Sequence, residues 1–112
     1  MLKNVKCARC VKCGKEYEAT ANLTNCSCGG ILDINYDYDY IQKTLTKETL
    51  TSRPNTMWRY RELLPVEETT PDTPLRVGWS PLYEEPRLAK QLGLKKLWVK
   101  DDGQNPTASL KD

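Results

Sequence analysis

The sequence predicts a small metal-held β module followed by the opening of an α/β layer. Three observations predict this. Five cysteines crowd between residues 7 and 28 of a 112-residue chain. From 32 to 40 apolar and acidic residues alternate with period two. From about residue 75 a strand, a helix and a second strand follow one another, separated by proline and glycine.

The cysteines come first. An odd number, all at one end, does not read as a disulfide framework. Cys10 and Cys13 form a C-x-x-C pair followed by Gly14, and Cys26 and Cys28 a C-x-C pair followed by Gly29 and Gly30. A tight turn between two cysteines aims both sulfurs at one tetrahedral ion. A following glycine permits a positive φ and close backbone approach. With no histidine in the chain, a metal site must use sulfur or carboxylate, and four sulfurs suit zinc best among common metals. Such a site is structural, because four protein ligands leave no position for a substrate. Two alternatives stand beside it. Cys7 begins another C-x-x-C with Cys10 and is a candidate ligand, and the second pair is one residue short of the regular spacing. The cysteines are then reduced packing residues of a module that has lost its metal. Energetics favour zinc: about 35 residues build little core, and a structural zinc contributes on the order of 10 kcal/mol.

Leu32, Ile34, Tyr36, Tyr38 and Tyr40 alternate with Asp33, Asn35, Asp37 and Asp39. This pattern predicts a strand closing the module through residue 40, its acidic row a solvated face. Residues 41–74 predict a connector. Thr46 caps a helix over 47–51, and Pro54 ends it. "MWRYRELLP" is too apolar for an exposed loop and predicts one helical turn or a packed irregular segment. "VEETTPDTP" reads as a surface linker.

From 75 to 112 the elements are a turn at Gly78, a strand near Leu82, and a helix begun by Pro86 and stopped by Gly93. A strand around Leu97, Trp98 and Val99 follows, then a loop "GQNPT", then a helix capped by Ser109 with Lys111 in its first turn. Strand, helix, strand, loop and helix open an α/β layer.

The net charge of +2 and the absence of a basic, aromatic-laced face argue against nucleic acid. No run of 18 apolar residues predicts a membrane span. The first residues lack the apolar core of a signal peptide, so a cytoplasmic location is expected.

"NPTASLKD", residues 105 to 112, resembles the Asn-Pro-Thr-x-Ser-Phe-Lys-Asp segment around the cofactor lysine of the β-family of pyridoxal-phosphate enzymes. "VGWSPLYEEPRLAKQLGLKKLWVKDDGQNPT" is similar to the approach to that lysine. "MWRYRELLP" and the cysteine ribbon narrow the resemblance to the threonine synthase branch. Ala108, often glycine in the family, and Leu110, usually phenylalanine, depart from the pattern but keep its small and apolar character. The resemblance implies the pyridoxal-phosphate α/β fold, with Lys111 as both catalytic and cofactor-binding residue, bonded to the cofactor aldehyde. That chemistry needs an amine which loses its proton, whereas a free lysine has a pKa of about 10.4, so burial or a neighbouring cation must lower it. It further implies O-phosphohomoserine as substrate, threonine and phosphate as products, and a homo-oligomeric enzyme.

The implied enzyme is several times longer, with its phosphate cradle, ring contacts and substrate loop beyond residue 112. The chain is therefore expected to be a truncated portion, inactive alone. Its implied parts are the ribbon over 1–40, a connector over 41–74 and the start of the catalytic domain over 75–112. Two other readings are a different enzyme of that fold, threonine dehydratase or cysteine synthase, and a zinc-ribbon binding module. The ribbon and "MWRYRELLP" weigh against the first, and the near-neutral charge weighs against the second as a nucleic-acid binder.

Overall fold

A computed structural model describes residues 2–112. The chain divides into two compact units. Among the described residues the first comprises those up to 53 and 59–71, the second 54–58 and 72–112.

The first unit is built on three antiparallel strands: β1 (Val5–Cys10), β2 (Glu16–Tyr17) and β3 (Leu32–Tyr36), in the order β2-β1-β3. The first cysteine pair makes the turn between β1 and β2, closed by the Cys10 N–H on the Lys15 carbonyl and the Gly14 N–H on the Cys10 carbonyl. Ala8 faces Tyr17 across one edge of β1 and Ile34 across the other. Period two then puts Ala8 and Cys10 on the buried face and leaves Arg9 outside.

The row of aspartates and tyrosines does not stay extended to residue 40. The strand stops at Tyr36, and α1 runs Tyr38–Thr44. Asp37 is the reason. Its side chain accepts the Tyr40 N–H at 3.0 Å, satisfying a donor that the first helical turn leaves without a partner. Helical spacing then buries Ile41, whose N–H reaches the Asp37 carbonyl. The Tyr36 and Tyr38 rings meet at 6.3 Å between centroids.

The helix α2 (Lys47–Ser52) follows, with the Thr46 hydroxyl accepting the Thr49 N–H at 3.2 Å, as the sequence predicts. Arg53 is extended before Pro54, where proline disfavours the helical region. "MWRYREL", Met57–Leu63, forms two short 3₁₀ turns joined by a kink at Tyr60, whose φ of −101° and ψ of 29° are not helical. Arg53 holds it with a two-pronged pair to Glu62, at 2.7 and 2.6 Å, and a third bond to the Arg59 carbonyl. Asn4, buried, donates to the carbonyls of Glu62 and Leu64. The middle of the sequence is therefore tied to its beginning by polar contacts.

The second unit carries β4 (Leu82–Glu84), α3 (Pro86–Gln91) and β5 (Trp98–Lys100). Pro86 opens α3, Ala89 is its buried residue, and Gly93 closes it with a φ of 67°. The Leu94 N–H on the Ala89 carbonyl and the Gly93 N–H on the Lys90 carbonyl complete that stop. The two strands pair antiparallel, Tyr83 opposite Val99. The unit is thus a β-α-β hairpin ribbon, not a parallel crossover, and the α/β layer itself is not formed by these residues.

The helix predicted from Ser109 is also absent among the described residues. The Lys111 N–H does reach the Ser109 hydroxyl, at 3.2 Å, as a cap would require. However, the segment 106–111 folds as turns. Asn105 takes the carbonyl that a helix capped at Ser109 would have used, and Asp112 turns back on Thr107. Asn105 accepts the Gly78 N–H and donates to the Ser109 carbonyl, while Asp112 accepts from the N–H and hydroxyl of Thr107.

Candidate metal centre and the lysine segment

Two turns of the first unit bring four sulfurs together. The first is the β1–β2 turn, where Gly14 takes a φ of 75°. The second spans Cys26 to Gly30: the Gly29 N–H bonds the Cys26 carbonyl at 2.8 Å and the Cys26 N–H bonds the Gly30 carbonyl at 3.1 Å. Gly29 has a φ of 76°. The Val11 N–H on the Ile31 carbonyl links the two turns.

The sulfurs of Cys10, Cys13, Cys26 and Cys28 all lie within 4.8 Å of one another. Cys10 Sγ is 3.6 Å from Cys28 Sγ, and Cys13 Sγ is 3.5 Å from Cys26 Sγ. A zinc–sulfur bond of 2.3 Å in a tetrahedron separates its sulfurs by about 3.8 Å. The cluster has that dimension. The C-x-C pair, one residue short, still delivers both sulfurs, carried on the turn that the backbone closes between Cys26 and Gly30. Cys7 stands on the opposite face of β1 from Cys10, opposite Asn35, whose amide lies 3.5 Å from its sulfur. It is not one of the four.

Backbone donors surround the sulfurs. The Cys26 thiol is lowered to about 6, first by the Cys28 N–H and then by the Tyr17 hydroxyl. Cys10 is lowered by the N–H groups of Cys13 and Lys12. For Cys28 the Gly30 N–H favours the thiolate, but the sulfurs of Cys26, Cys13 and Cys10 outweigh it and push the thiol up to about 12. Thiolates this close repel, so the cluster does not ionise fully by itself. A divalent cation reverses that balance by attracting all four. Gly30 completes the fit. A β-carbon there would sit 2.6 Å from Cys10 Sγ and 3.3 Å from Cys28 Sγ. The four-cysteine cluster fits a zinc ribbon.

The chain resembles known proteins along nearly all of its length. Its curated relatives are threonine synthases. It is 45% identical over 104 residues to the threonine synthase of Methanocaldococcus jannaschii, a match covering 93% of this chain and 26% of that protein. It is 44% identical over 105 residues to the threonine synthase of Methanosarcina acetivorans, covering 93% of this chain and 25% of that one. A threonine synthase of Synechocystis sp. matches 54 residues at 46% identity, covering 47% of this chain and 14% of that protein. The chain spans about a quarter of the length of the first two threonine synthases. No family model matches it, and no solved structure does. No helix among the described residues is long and apolar enough to cross a membrane.

Lys111 lies in the second unit, exposed, in the turn fastened by Asn105 and Asp112. One residue of that turn went unremarked for conformation at the level of sequence. Ala108 has a φ of 54°, in the left-handed region. Its place in a motif where glycine is frequent was the available signal. Beside the four sulfurs, Tyr17 was missed as a site residue because it gave no motif to read, whereas the close approach of Gly30 is the one expected of a glycine after the second pair.

Proposed function

We propose that this chain is the zinc-ribbon and lysine-bearing part of a threonine synthase, a pyridoxal-phosphate enzyme that converts O-phosphohomoserine and water into threonine and phosphate. The observation that carries the reading is the 45% identity to a threonine synthase over 93% of the chain. On this reading Cys10, Cys13, Cys26 and Cys28 hold one structural zinc, and Lys111 holds the cofactor.

The exposed Lys111 fits a group that an aldehyde must reach, and its turn fixes the backbone from which the amine projects. Pyridoxal phosphate, when bound, supplies an electron sink for carbanions. Lys111 supplies the amine that holds it and a base to carry a proton at its Nζ. An exposed amine is well solvated, and activation takes burial or a nearby cation. Those surroundings are assigned to the part of the relatives' length that this chain does not cover. The 112 residues alone are accordingly read as inactive.

A chimaera tests this. The matched segment of the Methanocaldococcus jannaschii enzyme is replaced by this chain, and phosphate and threonine formed from O-phosphohomoserine are measured. Turnover is expected, and Lys111→Ala is expected to abolish it together with the absorbance of bound cofactor. A folded chimaera whose Lys111→Ala variant still turns over would overturn the assignment. A folded, cofactor-loaded chimaera that is active on a different amino-acid substrate would overturn the substrate reading.

A further inference from the structure

Cys26 differs from its neighbours in the cluster. Besides a backbone donor it has a side-chain one: the Tyr17 hydroxyl, 3.1 Å from its sulfur. A metal-bound thiolate carries no proton, so in the loaded site the hydroxyl is the donor and the sulfur the acceptor. The same hydroxyl oxygen accepts the Ser27 N–H at 3.1 Å and lies 3.1 Å from the Ser27 hydroxyl. The Lys15 ammonium donates to that Ser27 hydroxyl at 3.5 Å and stands 5.0 Å from the centre of the Tyr17 ring. One consistent set of directions satisfies every group. Lys15 donates to Ser27, Ser27 donates twice to Tyr17, and Tyr17 donates to Cys26. Successive bonds in such a chain polarise one another, and a cation heads it. A tetrathiolate site with a divalent ion carries net negative charge, which outer hydrogen bonds disperse.

We propose that Tyr17 is a positioning residue of the metal centre, its hydroxyl, polarised through Ser27 by Lys15, holding the Cys26 sulfur on the ion. This rests on the zinc reading above and deepens it. Without the hydroxyl the Cys26 thiolate keeps more charge, is a better nucleophile, and is free to swing off the metal.

The full chain tests it with zinc and cobalt(II) as probes. Zinc affinity is measured by competition with a chelating dye, and the cobalt form is followed through its sulfur-to-metal charge-transfer band. Zinc-loaded protein is then alkylated with iodoacetamide and the labelled cysteines are mapped. In Tyr17→Phe, zinc is expected to bind about 10–100-fold more weakly, the size of effect usual for an outer hydrogen-bond partner. The cobalt band is expected to move to longer wavelength, and Cys26 to become the first cysteine alkylated. Ser27→Ala keeps the ring and the backbone donor and is expected to give a smaller change in the same direction. It carries the test if Tyr17→Phe fails to fold. Unchanged affinity, or weaker binding with the band and the labelling order unmoved, would overturn the proposal. Wild-type protein that binds neither metal would overturn the zinc reading itself, and this inference with it.

Discussion

Gly30 lies so close to Cys10 that a β-carbon on it would stand 2.6 Å from the Cys10 sulfur. The neighbouring obstacles are the Cys28 sulfur and the β-carbon of Lys12. None is the free end of a flexible chain. Gly30→Ala is therefore expected to spread the two turns and cost about 1–3 kcal/mol, the range for overpacking. Much of that loss should appear in metal affinity. Zinc retained by Gly30→Ala as tightly as by wild type, in a dye competition, would show that the turns give way freely.

The four-sulfur geometry predicts about one zinc per chain in protein purified without chelator, measured by elemental analysis. Cys26→Ser should lose most of it. Cys7→Ser should keep it, since Cys7 lies on the other face of β1. The ligands bind as thiolates, so acidification should release the ion as protons compete for the sulfurs.

Arg53 and Glu62 form the half-buried ion pair that fastens the 3₁₀ helix, with side-chain exposures of 27% and 17%. The Arg53 guanidinium holds the Glu62 carboxyl below the usual carboxylate range. A depressed folded pKa means that the stabilisation is complete above the unfolded value, about 4.3, and is lost as pH falls through the lower folded one. Glu62→Gln is expected to cost about 1–2 kcal/mol at neutral pH, measured by denaturant unfolding. Its unfolding free energy should also fall less than that of wild type on acidification from pH 5. Parallel pH profiles for the two proteins would contradict the assignment.

Ala108 holds a left-handed φ of 54°. For a residue with a β-carbon that conformation costs about 1–2 kcal/mol, while glycine loses roughly 0.5–1 kcal/mol of extra chain entropy on folding. Ala108→Gly should therefore stabilise the second unit by about 0.5–1 kcal/mol. Hydrogen exchange of the amides in β4 and β5 reports it. A destabilised variant would mean that the methyl group packs usefully.

Local chemistry was legible in advance where a single residue type decides the outcome. Thr46 as a cap, Pro86 as a first helical residue and Gly93 as a stop each act through their own backbone neighbours, and each stands where the sequence places it. The row from Leu32 to Tyr40 misled because alternation over nine residues satisfies a strand and also hides a helix start. Asp37 with Ile41 four residues on was the competing signal. The sheet partner β1 ends its pairing at Tyr36, opposite Val5, and leaves the next residue free to cap. At Ser109 a sound cap residue met a different outcome, because Asn105 takes the Ser109 carbonyl and Asp112 turns back on Thr107.

By itself the sequence determined the composition of the sulfur cluster. The two cysteine pairs, the absence of histidine and the glycines after each pair follow from residue identity. It also carried the motif around Lys111. Spacing named the four sulfurs and left Cys7 open, and the tertiary structure decided between them. Pairing β1 with β2 and β3 folds the two turns toward each other, and the pleat of β1 sends Cys10 inward and Cys7 to the other face. The physical reason is range. Caps, stops and turns are settled within four or five residues, whereas a distance of 3.6 Å between sulfurs 18 residues apart depends on a strand register set by every pair along it.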